Sequence, residues 1–318
     1  MTRGFAVDER TAPMLRGSSP ATLAPSGRRR RSHLGIACLF LLPSFLGLAA
    51  FLVLPLVASL LLSFTNWQVI GEARFIGFAN YANLLSNDPI FWQVLRNTLF
   101  YTFEYLILNI ILSLGLAVWI GSLSFGKTLF RLAFFLPTFT PLVGVSLVWL
   151  LILTPGGVMD WTLHALGLPI PNLISNPSLA MQALVLVSLW SHFGYNLLLF
   201  GAALESIPPN YLEAAEIDGA SAWQRFWHIK LPLISPSLFF GTVLTAISSM
   251  QTFDQVYALT HGGPGSATTT LGYAIYTQGF VTYKFGYASS IAWVLFAIIM
   301  LLTAVQLHLQ KRWVNYDT

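Results

Sequence analysis

The chain has 318 residues, of which 55% are hydrophobic and 9% are charged, against roughly 25% charged in ordinary soluble domains. No soluble fold can hide that much apolar surface, so a soluble globular domain is excluded. The net charge of +4 comes from loop and tail residues and gives no support to nucleic-acid binding.

In chain order, residues 1–33 read as a disordered basic cytoplasmic tail, rich in Ser, Pro and Gly up to Ser26. Arg28–Arg31 then precede the apolar stretch Leu34–Phe64. That stretch has 31 residues, whereas a secretory signal has an apolar region of about 7–15 residues ending in a small-residue cleavage site. It therefore reads as a retained first helix. Five further apolar stretches follow: Thr98–Ile120, Leu132–Leu153, Leu179–Leu204, Leu238–Thr260 and Ala288–Leu307. Each can cross a core about 30 Å thick, which takes about 20 helical residues. The predicted fold is thus all-α and integral to the membrane, with residues 34–318 forming one domain of six transmembrane helices. Glu104 and Asp254 are the charged residues inside these spans. Pro137 and Pro141 fall in the third span, where neighbouring helices can re-satisfy the freed backbone groups.

Lys and Arg set the orientation, because cytoplasmic segments carry the excess. The N-terminal tail, the hairpin Gly121–Arg131, the loop Glu205–Ser237 and the C-terminal tail hold 13 of them, and the opposite set holds only Arg74, Arg96 and Lys284. The first set is therefore assigned to the cytoplasm, together with both termini, in a bacterial inner membrane. Cys38 is the sole cysteine, so no intrachain disulfide can form.

The loop Glu205–Ser237 is long and patterned as two short helices. Pro208-Pro209 open the first and Gly219 closes it. Ser221 and Gln224 make a capping box for the second, which is expected to stop before Pro232. Trp223, Phe226, Trp227 and Ile229 are too apolar for a solvated linker. They suit either an amphipathic pair resting on lipid headgroups or a docking element for a cytoplasmic partner.

Glu213-Ala214-Ala215, Asp218-Gly219-Ala220 and Ile229-Lys230-Leu231-Pro232 together resemble the Glu-Ala-Ala loop of bacterial binding-protein-dependent ABC transporter permeases. Phe75-Ile76-Gly77-Phe78-Ala79-Asn80-Tyr81, and the segment from Phe253 to Pro264, are similar to the carbohydrate-importer branch, of maltose and glycerol-3-phosphate type. The resemblance implies the type I importer fold and a pathway shared with a homologous permease. It further implies two cytoplasmic ATPase subunits, which bind the ATP and Mg, and an extracytoplasmic substrate-binding protein. This chain would bind no cofactor and carry no ATPase site of its own. Carried over by position, Glu213, Ala214, Ala215, Asp218 and Gly219 form the docking helix and its stop. Ile229, Leu231 and Pro232 set the return to the membrane.

Two further patterns need weighing. Gly121-Ser122-Leu123-Ser124-Phe125-Gly126-Lys127-Thr128 matches the phosphate-loop pattern, yet a working phosphate loop follows a strand and opens a helix in a parallel sheet. Here the match is a hairpin between two spans, so Lys127 and Arg131 read as topology-setting charges. The six histidines are scattered, without a His-Glu-x-x-His pair or a cysteine-histidine cluster, which argues against metal chemistry. Glu104, about two turns into the second span, reads as a wetted or paired structural group.

Thr245, Ser248, Ser249 and Thr252 recur at i, i+3, i+4 and i+7 on the fifth span, and Ser188, His192, Tyr195 and Asn196 form a matching set on the fourth. Small polar residues also glue membrane helices together. Tyr195, with an apolar face and a hydroxyl, suits a sugar ring, and the resemblance places substrate contacts on corresponding parts of these helices. Asp254 is either functional or a wet structural group near the outer loop. With no basic residue in any span, a neutral sugar of di- or oligomeric size fits better than a glycerol-3-phosphate-type solute. An ion-coupled secondary transporter is the rival from another class. It calls for midplane carboxylates and an inverted repeat, neither of which is clear.

Overall fold

The computed structural model describes residues 27–168 and 172–314. The predicted disordered tail, up to residue 26, lies outside the described residues. Among them there is no β-strand beyond an isolated antiparallel bridge between Thr65 and Phe75, and the rest of the regular structure is helical. The chain divides into two units, 1–55 and 56–318. The described part of the first comprises α1 (Gly27–Leu48), a wide π turn over Ala49–Val53 and the start of α2 (Leu54–Ser63).

The second unit continues with α3 (Ala79–Ser86), α4 (Phe91–Ser122), α5 (Lys127–Phe135), α6 (Leu142–Leu153) and α7 (Val158–Ala165). It is completed by α8 (Ala180–Glu205), α9 (Pro209–Ile217), α10 (Ala222–Arg225), α11 (Leu231–Leu233), α12 (Ser235–Met250), α13 (Leu271–Tyr276) and α14 (Phe285–Trp313). Among the described residues, five helical stretches are long and apolar enough to cross a membrane: Ala37–Ser63, Phe91–Ser122, Leu142–Ala165, Ala180–Glu205 and Phe285–Trp313. A sixth is obtained if Ala222–Leu233 and Ser235–Met250, bent by 69° at Ile234, count as one span.

Three boundaries differ from the sequence reading. The third predicted span, Leu132–Leu153, is broken: α5 ends at Phe135, a 3-10 turn covers Leu136–Phe139, and α6 starts at Leu142. A residue before proline is pushed out of the helical region, and Thr140, preceding Pro141, has ψ 132°. The apolar run instead continues through a turn at Pro155-Gly156-Gly157 into α7, where Gly156 N donates to the buried Asp160 Oδ2 at 2.8 Å. The fifth predicted span, Leu238–Thr260, is helical to Met250, opens over Gln251–Phe253, and resumes through a π turn at Val256–Thr260. The second helix of the 205–237 loop does not stop before Pro232. A π turn over Phe226–Lys230 leads through Pro232, and the helix ends at Leu233. Proline lacks the N–H that an interior helical position would use, and it sits here just after the wide turn. Pro236 then opens α12 in its first turn, where the missing N–H costs nothing.

The centre of the second unit is the α4–α8 pair, where polar side chains bond across the interface among larger apolar ones. Ser113 Oγ donates to Phe193 O at 2.8 Å and Tyr101 OH to Ser188 Oγ at 2.8 Å. At Gly194 of α8, an added Cβ would stand 2.4 Å from Phe134 O and 2.9 Å from Phe135 Cα, so the glycine is what lets α5 lie against α8. Around this pair, Leu84, Phe91, Met250, Leu271 and Ile291 form an outer core, and Ala117, Phe200, Ile207, Ile234 and Leu238 form one beside the 205–237 loop. The Phe75–Tyr81 motif has a structural job. Asn80 Nδ2 donates to Ser63 O and Thr65 O, both at 2.8 Å, and Tyr81 OH to Ser63 Oγ at 2.8 Å. Asn80 thereby satisfies two carbonyls at and just beyond the end of α2.

Candidate functional site

A cavity of about 770 Å³ opens between α4, α8, α12 and the break after α12. All eight residues assigned to the substrate pathway line it: His192, Tyr195, Asn196, Thr245, Ser248, Ser249, Thr252 and Asp254. Their roles differ by burial. Asn196, Thr245, Ser249 and Thr252 are buried, His192 is half-buried, and Tyr195, Ser248 and Asp254 are exposed.

The buried members form the wall's fixed lattice. Asn196 Nδ2 donates to Asn109 Oδ1 at 2.6 Å and to Thr245 Oγ1 at 2.8 Å, and Asn109 Nδ2 donates to Tyr105 OH at 3.1 Å. This chain ties α4, α8 and α12 together, at roughly 0.5–1.5 kcal/mol net for each bond. Tyr105 stacks on Tyr101 with ring planes 1° apart and centroids 5.8 Å apart. The Ser248 and Ser249 hydroxyls turn back onto their own helix, to Thr245 O and Ala246 O, and Thr252 Oγ1 donates to Gln255 Oε1 at 2.9 Å. The Asn196 Oδ1 atom and the Thr138 hydroxyl are buried without a partner in the chain, and both residues line the cavity. Asp254 is the one acidic residue in the lining, and no Lys or Arg joins it.

Tyr101, Tyr105, Asn109, Gln251 and Gln255 also line the cavity but were not singled out from the sequence. Tyr101, Tyr105 and Asn109 stand at i, i+4 and i+8 on α4, so the same polar-stripe criterion applied to that helix finds them. Gln251 and Gln255 flank a helix break that a helical wheel does not foresee. Glu104 lies outside this cavity, half-buried, with Oε2 buried and no partner in the chain.

The 205–237 loop supplies the other set of assigned residues. Its first helix, α9, ends at Asp218, with Gly219 at φ +79°. Gly219 N donates to Glu216 O at 3.0 Å and Ala220 N to Ala215 O at 2.9 Å. That pairing is a Schellman termination, which needs the left-handed residue that glycine supplies. The Ser221–Gln224 capping box is present: Gln224 N donates to Ser221 Oγ at 3.3 Å and Ser221 N to Gln224 Oε1 at 2.8 Å. Arg225 Nη1 bonds Glu216 Oε2 at 2.6 Å, joining the two short helices. Asp218, Gly219 and Ile229 share a groove of about 400 Å³ between them. Glu213 and Ala214 are exposed, Ala215 is half-buried, and Leu231 packs onto the core around Phe200. Arg131 holds Glu205 with both guanidinium arms, so the 121–131 hairpin is fastened to the start of the loop. Lys127 Nζ donates to Gly121 O at 2.8 Å, closing that hairpin on itself, and no strand precedes it. The phosphate-loop context is therefore missing. Among the described residues no three His, Cys, Asp or Glu side chains gather as a metal site.

Residues 124–315 match the family model described as binding-protein-dependent transport system inner membrane component. The chain is 35% identical over 283 residues to the probable ABC transporter permease protein YesP of Bacillus subtilis, covering 88% of this chain and 91% of that one. It is 32% identical over 276 residues to the multiple sugar-binding transport system permease protein MsmF of Streptococcus mutans, covering 86% and 94%. Its fold matches a crystal structure of a bacterial ABC transporter involved in the import of the acidic polysaccharide alginate, with a TM-score of 0.79 at 23% identity over 90% of this chain and 97% of that one. The chain belongs to the family of inner membrane components of binding-protein-dependent transport systems, and is an ABC transporter permease.

Proposed function

We propose that this chain forms one half of the translocation pathway of an ATP-driven sugar importer, with six crossings and both termini in the cytoplasm. A homologous permease supplies the other half. Two cytoplasmic ATPase subunits bind the ATP and Mg, one of them docking on the 205–237 loop, and an extracytoplasmic binding protein delivers the sugar. The observation that carries the reading is the cavity lining: hydroxyls, amides, phenols and an imidazole, with a single carboxylate and no cation. Such a wall offers hydrogen bonds and aromatic faces to a neutral polyol, whereas an anionic solute would face Asp254 uncompensated. The name of MsmF points to a sugar. Closure of the ATPases would move α9 and α10 together, since the Schellman stop at Gly219 runs straight into the Ser221–Gln224 capping box, and alternating access follows from that motion.

Tyr195→Ala and Ser249→Leu test it in the complete importer reconstituted in vesicles. Tyr195 is exposed to the cavity, and Leu at 249 would place a branched chain against a packed wall. Both variants are expected to assemble, and to lose most sugar uptake and most substrate-stimulated ATP hydrolysis. Normal uptake by both would remove the cavity from the pathway.

A further inference from the structure

Beyond the cavity, aromatic rings continue in an unbroken run. Phe253 lines the cavity, and its ring lies 5.0 Å from that of Tyr276 and 5.5 Å from that of Tyr257. Tyr257 and Tyr276 are 5.4 Å apart. From Tyr276 the run passes to Phe280 at 5.9 Å, to Phe285 at 5.6 Å and to Trp67 at 5.3 Å. It leaves the cavity at the far end of α12 from the 205–237 loop, which precedes that helix. Tyr257 is 37% exposed and Phe280 62% exposed, so rings of the run present surface that the chain itself does not cover.

We propose that this run is a second sugar-binding surface, an aromatic path along which a pyranose or furanose ring reaches the cavity from the side opposite the docking loop. It rests on the reading that the cavity passes a sugar. Aromatic faces pack against the C–H face of a sugar ring, and phenols add a hydroxyl partner beside it. Flat surfaces of this kind bind weakly and without fixed register, which suits passage rather than retention. An aromatic belt at the membrane interface is the competing account of exposed aromatic residues. The run differs from a belt in starting at a cavity residue, Phe253, and it continues from α13 into a π turn over Thr277–Val281 that carries Phe280.

The test uses the complete importer in vesicles, and as probe whichever of lactose, raffinose, maltotriose and arabinotriose the unmodified complex accumulates fastest. Tyr276→Leu and Phe280→Leu leave a smaller apolar side chain and remove the flat ring, while Tyr276→Phe and Phe280→Trp keep it. Each Leu variant should lower uptake at subsaturating sugar about threefold to tenfold, the range expected for one aromatic contact, with assembly unchanged and the ring-keeping variants near the unmodified complex. Normal uptake in both Leu variants, with Ser249→Leu defective, overturns the path and leaves the cavity reading standing. Normal uptake in all three overturns both. Loss of assembly in the Leu variants, or equal loss in the ring-keeping variants, assigns the run to lipid anchoring or packing and overturns the path. Accumulation of none of the four sugars by the unmodified complex withdraws the sugar reading and the path with it.

Discussion

Gly219 stands at φ +79° with no atom within 4 Å of the place a Cβ would take, so any substitution there acts through the backbone and not through a clash. A β-branched residue in that conformation costs roughly 1–2 kcal/mol, and Asn tolerates it better. Gly219→Val should therefore insert in the membrane at normal levels yet lose coupled transport, because the chain leaving α9 is redirected and the groove it shares with α10 is reshaped. Gly219→Asn should stay close to the unmodified protein. Glu213→Ala should do little, since Glu213 is exposed and an exposed charge pair is worth about 1 kcal/mol or less. Uptake and ATP hydrolysis in vesicles, with subunit stoichiometry checked, decide the matter; normal coupling in Gly219→Val would take α9 out of energy transfer. At this scale the sequence was informative, because a glycine closing a short helix and a serine opening the next have one local meaning each. The Asn109–Asn196–Thr245 lattice was legible only in part. The polar stripes on α8 and α12 can be counted along the chain, but that Asn196 reaches Asn109 on α4 depends on how three helices pack.

Among the elements, the breaks in the third and fifth spans have different origins, and this explains why one was readable in principle and the other not. The third breaks beside Pro141, whose effect on Thr140 is local; it was read as a tolerated proline because a membrane bundle often does tolerate one. The fifth opens over Gln251–Phe253, which contain neither Gly nor Pro. Its cause lies elsewhere in the chain: Thr270 Oγ1 donates to Thr252 O at 2.9 Å, and Gly272 packs so close that a Cβ would stand 2.6 Å from the same carbonyl. The carbonyl released by the break is thus satisfied by α13's first turn, a contact that no window of sequence around position 252 contains. Thr270→Val should leave that buried carbonyl unpaired at a cost of about 1–3 kcal/mol, loosen the cavity wall and lower the melting temperature of the complex in detergent. Thr270→Ser should recover most of the loss. A Thr270→Val complex as stable and as active as the unmodified one would show that the break is held by something other than this bond.

For the whole molecule, sidedness is the property that helix geometry does not supply, and charge is the physical quantity that does. The 13-to-3 division of Lys and Arg assigns the 121–131 hairpin and the 205–237 loop to one side. The structure joins these two segments through Arg131 and Glu205. Had the hairpin and the loop belonged to opposite sides, no such pair could form, so the packing and the charge count are mutually consistent. Because positively charged segments are retained in the cytoplasm, the proposed orientation puts that side in the cytoplasm. In a Cys38→Ser background, Lys127→Cys and Lys311→Cys should react in intact cells only with thiol reagents that cross the membrane, while Lys284→Cys should react with impermeant ones. Lys127 is the informative position, since its ammonium closes the hairpin on Gly121 O and the residue is surface-accessible there. Reaction of Lys127→Cys with an impermeant reagent outside intact cells would invert the orientation. It would place the 205–237 loop where no ATPase could reach it, and the Gly219 phenotype would then need a cause other than docking.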